Sequence, residues 1–157
     1  MSFEERRKSL KKTEFITFSI GAQDFCMDII LVREIRGWTK VTTLPHSSSD
    51  VLGVMNLRGA VVPIVDLSAR LGLGRYEPTD RDVIIITLIG DQTVGFVVTA
   101  VSDIVGLVHD DVQPMPNMGG GSENMFVKGI VTKNNKTLRV LDINNIAATM
   151  AEAREIA

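Results

Sequence analysis

One cysteine, Cys26, stands in the 157 residues, so no disulfide can form within the chain and no thiolate cluster can be assembled. A reducing compartment is the natural reading. The only histidines, His46 and His109, have no neighbours at metal-ligand spacing, and the sequence offers no metal or cofactor motif. Aromatic residues make up 5% of the chain, too few for a base-stacking surface. A net charge of -2 gives no general attraction to nucleic acid or anionic lipid. The apolar runs fall well short of the ~20 residues that span a bilayer. The N-terminus, "MSFEERRKSLKK", has no apolar centre of the kind a secretion signal needs. These absences lead us to expect a cytoplasmic protein with no nucleic-acid partner and no direct membrane insertion.

What remains is an ordinary globular balance, 45% apolar and 23% charged, in a length that suits one domain. Residues 1–12 are polar and read as a flexible or helical tail. From Thr13 onward the chain is built of short Val/Ile-rich runs: "EFITFSI", "DFCMDIILV", "AVVPIVDL", "DVIIITLI", "TVGFVVTAV", "DIVGLV", "GIVT" and "TLRVLDI". Gly, Asp and Asn punctuate them, as in Gly21-Ala22-Gln23-Asp24, Gly90-Asp91-Gln92 and Lys133-Asn134-Asn135-Lys136. Many short strands with tight turns predict an all-β barrel or sandwich. Helical patterns are confined to "NNIAATMAEAREIA" at the C-terminus and to a short "LSARLGL".

The chain repeats itself. "FSIGAQDFCMDIILVREIRG" aligns with "TLIGDQTVGFVVTAVSDIVG", placing Gly21 on Gly90 and Gly37 on Gly106, a constant offset of 69 (90 − 21). "LGVMNLRGAVVPIVDL" aligns with "KGIVTKNNKTLRVLDI", placing Gly53 on Gly129 and Asp66 on Asp142, an offset of 76 (129 − 53). The longer connection of the second copy falls in "DDVQPMPNMGGGSEN", a Pro- and Gly-rich surface loop. Two copies of about five short strands predict two small barrels. One copy is small for a core of its own, so the halves should pack as one unit.

Several residues invite a catalytic reading. Asp66 and Asp142 end a strand in each copy and could form an acid-base pair. Each also precedes a helical stretch, where an aspartate caps free amide groups, and its recurrence in both copies favours that structural role. "HSSSD" holds the residue types of a hydrolase triad, but neighbours in sequence cannot align as one, and no G-x-S-x-G elbow is present. "LGLGR" follows a helical segment and has Glu77 where a third glycine would stand, and "GGG" at 119–121 lacks the following Lys-Ser/Thr, so neither cradles phosphate. Cys26 lies in an apolar strand and reads as a small core filler. No enzyme signature survives.

"NLRG", residues 56–59, sits between two apolar runs and reads as a hairpin turn. The offset places Arg58-Gly59 on Asn134-Asn135, all but Arg58 being residues that accept left-handed angles. The turn therefore explains Gly59 and leaves Arg58 open: a solvated charge, or a group that touches something. Glu34, in "VREIRG", would neighbour this hairpin in a compact barrel and could pair with it. Gly53 and Gly129 mark either a barrel corner or, for Gly53, a place of close approach.

These segments resemble the CheW-type chemotaxis coupling proteins. The orders F-x-x-D-I-x-x-V-x-E-I, G-V-x-N-L-R-G-x-V-x-P-I-x-D-L and V-G-x-V-V-x-x-V-S-D-I carry the resemblance, over about residues 13–147. It implies an all-β fold of two pseudo-symmetric five-stranded SH3-like barrels on a shared apolar core, with a C-terminal helix at 143–157. The sub-barrels are expected at roughly 14–75 and 76–142, with edge strands open to exchange between them. The resemblance also implies a non-catalytic adaptor, recruited to receptor arrays at the inner face of the membrane. Its expected partners are the cytoplasmic tip of methyl-accepting chemotaxis receptors and the regulatory domain of the histidine kinase CheA. The positions matching the family's receptor groove are Ile29, Val32, Glu34, Gly53, Arg58, Gly95 and Ile104. A helix would dock on Val32, Gly95 and Ile104, approach closely at Gly53 and Gly95, and meet Arg58 at the polar rim.

The chain departs from the pattern at the polar "PHSSSD", the flexible "PMPNMGGGSEN" and Cys26, which bear on partner choice. A CheV-type protein would carry a further receiver domain after residue 157. Two other readings are a regulatory-domain fragment of a CheA-like kinase and a small enzyme using Asp66, His109 or Cys26.

Overall fold

The computed structural model describes residues 12–45, 49–115 and 125–156, with side chains as far as residue 149. Residues 1–11 of the N-terminal tail, His46 and the triple glycine at 119–121 lie outside the described residues.

Ten strands form. β1 (Thr13–Ile20) and β2 (Gln23–Asp28) are a hairpin, as are β6 (Val83–Ile89) and β7 (Gln92–Val98). Their two-residue turns carry Gly21 and Gly90 at φ 59° and 61°, left-handed angles that glycine adopts without strain. "DFCMDIILV" was expected as one run, but Asp28 interrupts it. Its carboxylate accepts from the Ile30 amide at 3.0 Å and caps a 3-10 turn over Ile29–Leu31. β3 (Val32–Gly37) then starts in a different sheet. The second copy makes the same change of sheet at Thr99, between β7 and β8 (Ala100–Leu107). β4 (Val51–Leu57) and β5 (Ala60–Asp66) form another hairpin, matched by β9 (Val127–Lys133) and β10 (Lys136–Leu141).

One sheet has the order β8-β1-β2-β10-β9 and the other β3-β6-β7-β5-β4. Replacing each strand by its counterpart in the other copy turns one order into the other. The sheets do not coincide with the sequence halves 14–75 and 76–142: each combines the first hairpin of one copy with the last three strands of the other. More than edge strands is exchanged, because each copy crosses between sheets after its second strand. The architecture is all-β, two pseudo-symmetric five-stranded barrels of the SH3-like kind.

Strand alternation divides the apolar side chains into three cores. Along β7, Val94, Phe96 and Val98 face a central cluster while Val97 faces the inside of its own barrel. Along β2, Phe25 and Met27 join the central cluster and Cys26 lies inside the other barrel. The central cluster draws Ile16 and Phe18 from one sheet and Ile85 and Val65 from the other, so the barrels share one core.

Two helices cap that core, α1 (Leu67–Arg70) and α2 (Ile143–Ile156). Asp66 accepts from the Ala69 amide at 3.3 Å and Asp142 from the Asn145 amide at 3.1 Å, the capping role expected of both. α1 stops within a turn, where Gly72 takes φ 78°, whereas α2 runs for 14 residues.

Candidate partner-binding site

The hairpin between β4 and β5 turns on Arg58 and Gly59, at φ 50° and 87°. Asn134 and Asn135 make the equivalent turn at φ 52° and 64°. The Asn56 side-chain oxygen accepts from the Gly59 amide at 3.0 Å and closes the turn. Left-handed backbone is tolerated by asparagine and disfavoured for a long side chain, by about 1–2 kcal/mol. Arg58 occupies it all the same.

Its guanidinium donates to a Glu34 carboxylate oxygen at 2.5 Å. Arg36 donates to the other oxygen at 3.3 Å. Glu34 and Arg36 are two residues apart on β3 and so share a face. A bulge at Arg33 sets that register, with Val32 opposite Thr87 and Glu34 opposite Ile86. The Glu34 side chain is 24% exposed and that of Arg58 73%. The Arg58 hydrogen bond holds the Glu34 carboxyl below its ordinary range, against a smaller opposing effect of burial. β3 and β4 are the two edges of their sheet, so the pair ties one edge to the hairpin at the other.

A single lateral row crosses all five strands of that sheet: Glu34, Ile86, Gly95, Ile64, Gly53. The other sheet repeats it as Asp103, Thr17, Cys26, Val140, Gly129. Three expected groove residues thus share one row, but the two glycines do not form a groove floor. Gly95 is buried inside the barrel, where a Cβ would lie 2.7 Å from Ile64 Cδ1 and 3.0 Å from Ile84 Cγ2. Gly53 is buried beneath its own chain: a Cβ there would meet the Thr42 carbonyl oxygen. Thr42 and Val54 exchange amide hydrogen bonds at 2.9 and 2.8 Å, which lays the 41–43 segment against β4. Gly129 does the same under Gln113, which pairs with Ile130. The expectation that a docked helix would approach at Gly53 and Gly95 is corrected accordingly: the protein's own groups already occupy the space beside both.

Val32 is partly buried against the central core, and Ile29 is half-buried in the crossover turn just before it. Ile104, on β8, is 55% exposed, and its counterpart Ile35, on β3, 45%. The structure brings Glu34 and Arg58 into contact and leaves Ile104 on the other sheet. Arg36 and Ile35 were not singled out in the sequence, although the alternation of "VREIRG" placed Arg36 beside Glu34.

The CheW-like domain profile matches residues 14–150. The chain belongs to the CheW-like family. It is 44% identical over 144 residues to the chemotaxis protein CheW of Rhizobium meliloti (strain 1021), covering 92% of each chain. A probable chemotaxis protein CheW of Rhizobium etli is 42% identical over 154 residues, covering 98% of this chain and 99% of that one. Among solved structures, the scaffolding protein TtCheW from Thermoanaerobacter tengcongensis superposes with a TM-score of 0.76 at 26% identity, covering 85% of this chain and 86% of that one. With CheW proteins and a CheW scaffold as its relatives, the chain is a chemotaxis coupling adaptor.

The groups that suggested catalysis have other occupations in this CheW-like fold. Burial pushes the Cys26 thiol up to about 12, so it does not ionise at neutral pH. Asp66 is 3% exposed, one oxygen on the Ala69 amide and the other 2.8 Å from the Tyr76 amide. His109 is exposed in a 3-10 turn. Among the described residues no three His, Cys, Asp or Glu side chains are grouped to hold a metal ion. No described helix is long and apolar enough to cross a membrane.

Proposed function

We propose that this CheW-like chain is a non-catalytic adaptor joining the cytoplasmic tip of methyl-accepting chemoreceptors to the regulatory domain of the histidine kinase CheA. One observation carries the reading: Arg58 sits in left-handed backbone, where the equivalent turn has Asn134, and presents a side chain that is still 73% exposed after pairing with Glu34. Strained backbone under a projecting side chain points to a contact made outside the chain. An antiparallel helical hairpin, the form of a receptor tip, offers spaced apolar anchors and a polar rim. Ile104, Val32 and Ile29 would meet the anchors, and Arg58, held by Glu34, would meet the rim. Gly53 and Gly95 serve the same site indirectly, by letting the barrel close beneath it. Two weak contacts, one per partner, would be reinforced in a cytoplasmic array by effective concentration.

The test is reconstitution with receptor and CheA. Arg58→Ala should leave the melting temperature within about 4 °C of the parent, since an exposed pair contributes at most ~1 kcal/mol, and should weaken receptor-dependent kinase activation. Unchanged activation would refute the role given to Arg58. Failure of the parent chain to co-migrate with the CheA regulatory domain in size exclusion at tens of micromolar, about the range of weak adaptor affinity, would remove the adaptor reading itself.

A further inference from the structure

Arg70 ends α1 at the position that Ile146 occupies in α2 (146 − 70 gives the repeat offset, 76). Ile146 is wholly buried in the central core. Arg70 instead sends its guanidinium across three elements of the chain. One terminal nitrogen donates to the Thr149 hydroxyl of α2. The plane lies over the Phe126 ring at 5.2 Å, just before β9. The Nε lies 3.5 Å from the Asp50 carboxylate, with the two side chains only 19% and 13% exposed.

Among the described residues, helix α2 is otherwise held near its start. Ile143, Ile146 and Ala147 are buried, and the Asn145 amide group donates to the Met125 carbonyl at 3.0 Å. Thr149 is the last residue of α2 whose side chain is described; its hydroxyl accepts from Arg70 and donates back to the helix, with the Ile146 carbonyl at 2.9 Å and the Asn145 carbonyl at 3.1 Å. Asp50 is itself fixed, its carbonyl accepting from the Asp66 amide at 2.7 Å. It directly precedes β4, the strand that ends at the Arg58 turn. The Arg70 Nε is buried and, among the described residues, forms no hydrogen bond, although it sits beside the Asp50 carboxylate. One cation thus serves a helix hydroxyl through a terminal nitrogen and faces a carboxylate on a separate element through an Nε that makes no hydrogen bond among the described residues.

We propose that Arg70 is a clasp through which Asp50, at the start of β4, controls the docking of helix α2. The turn of α2 that ends at Thr149 is the two-state element, docked when the guanidinium is anchored by Asp50 and released when it is not. Removing the Asp50 carboxylate frees the guanidinium to turn away from Thr149.

Hydrogen exchange on the full chain decides it, comparing the parent with Asp50→Asn, Thr149→Val and the double variant. Asp50→Asn should speed exchange of the α2 amides after residue 147 by about tenfold, with the β6 and β7 amides unchanged, although Asp50 lies outside α2. The double variant should exchange no faster than the faster single one, because both changes open one clasp. α2 exchange equal to the parent's in Asp50→Asn would overturn the proposal. So would equal acceleration in every strand, which would make the cluster a source of general stability. Additive effects in the double variant would show two independent contacts and overturn it as well.

Discussion

At the residue scale, the Glu34 carboxylate has two cationic neighbours, Arg58 at 2.5 Å and Arg36 at 3.3 Å. Because pairing depresses the folded-state titration, the contact is complete above the ordinary carboxyl value of 4.5 and is lost only as pH falls through the depressed value. The pair should therefore be fully formed at any physiological pH. Carboxyl-carbon NMR should find Glu34 titrating below 4.5, and Arg58→Ala should move the midpoint upward. A midpoint that stays in place would mean that Arg36 or the backbone sets it. Much of this was legible in the sequence: the repeat showed that the turn did not require arginine, and Glu34 was the expected partner. Arg36 joins the pair because strand alternation places it on the same face as Glu34, a proximity that the repeat does not signal.

At the scale of elements, Gly53 and Gly129 do one job twice. Each lies under a returning segment whose backbone pairs with the next residue, Thr42 with Val54 and Gln113 with Ile130. A backbone carbonyl cannot swing aside as a side-chain tip can. Gly53→Ala and Gly129→Ala should each destabilise the protein by about 2–3 kcal/mol, at the upper end of overpacking costs. Gly37→Ala should change stability by less than ~0.5 kcal/mol, there being nothing within 4 Å of a Cβ at that position. Urea midpoints of the three variants decide this, and three equal shifts would show that the close approaches carry no cost. Alignment of the two copies located this pair of glycines but could not distinguish a barrel corner from a docking face. The deciding group, the Thr42 carbonyl, belongs to an irregular segment without a strand pattern. Gly95 was misplaced for a related reason: strand periodicity says which side a residue faces, but not whether that side is the inside of its own barrel.

At the scale of the whole molecule, the exchange of hairpins makes the two barrels interdependent. Neither can form without strands from both copies, and the central core takes side chains from both sheets. The repeat was visible in the sequence, but exchange was expected only of edge strands and not of whole hairpins, because the pairing rows are the same whether a hairpin joins its own copy or the other. What decides it is the crossover at Asp28 and its counterpart at Thr99, a few residues with no strong signal. Such interlacing should remove any intermediate with one barrel folded. The single tryptophan, Trp38, packs against the core of the barrel formed by β3–β7. Leu138 is buried in the core of the other barrel. Leu138→Ala should cost roughly 2–5 kcal/mol, and the loss should appear in full in the Trp38 fluorescence transition. The midpoints followed by Trp38 and by far-UV circular dichroism should fall together. If the Trp38 transition stayed at the parent's midpoint while the circular dichroism moved, the barrels would be separate folding units despite their exchanged strands.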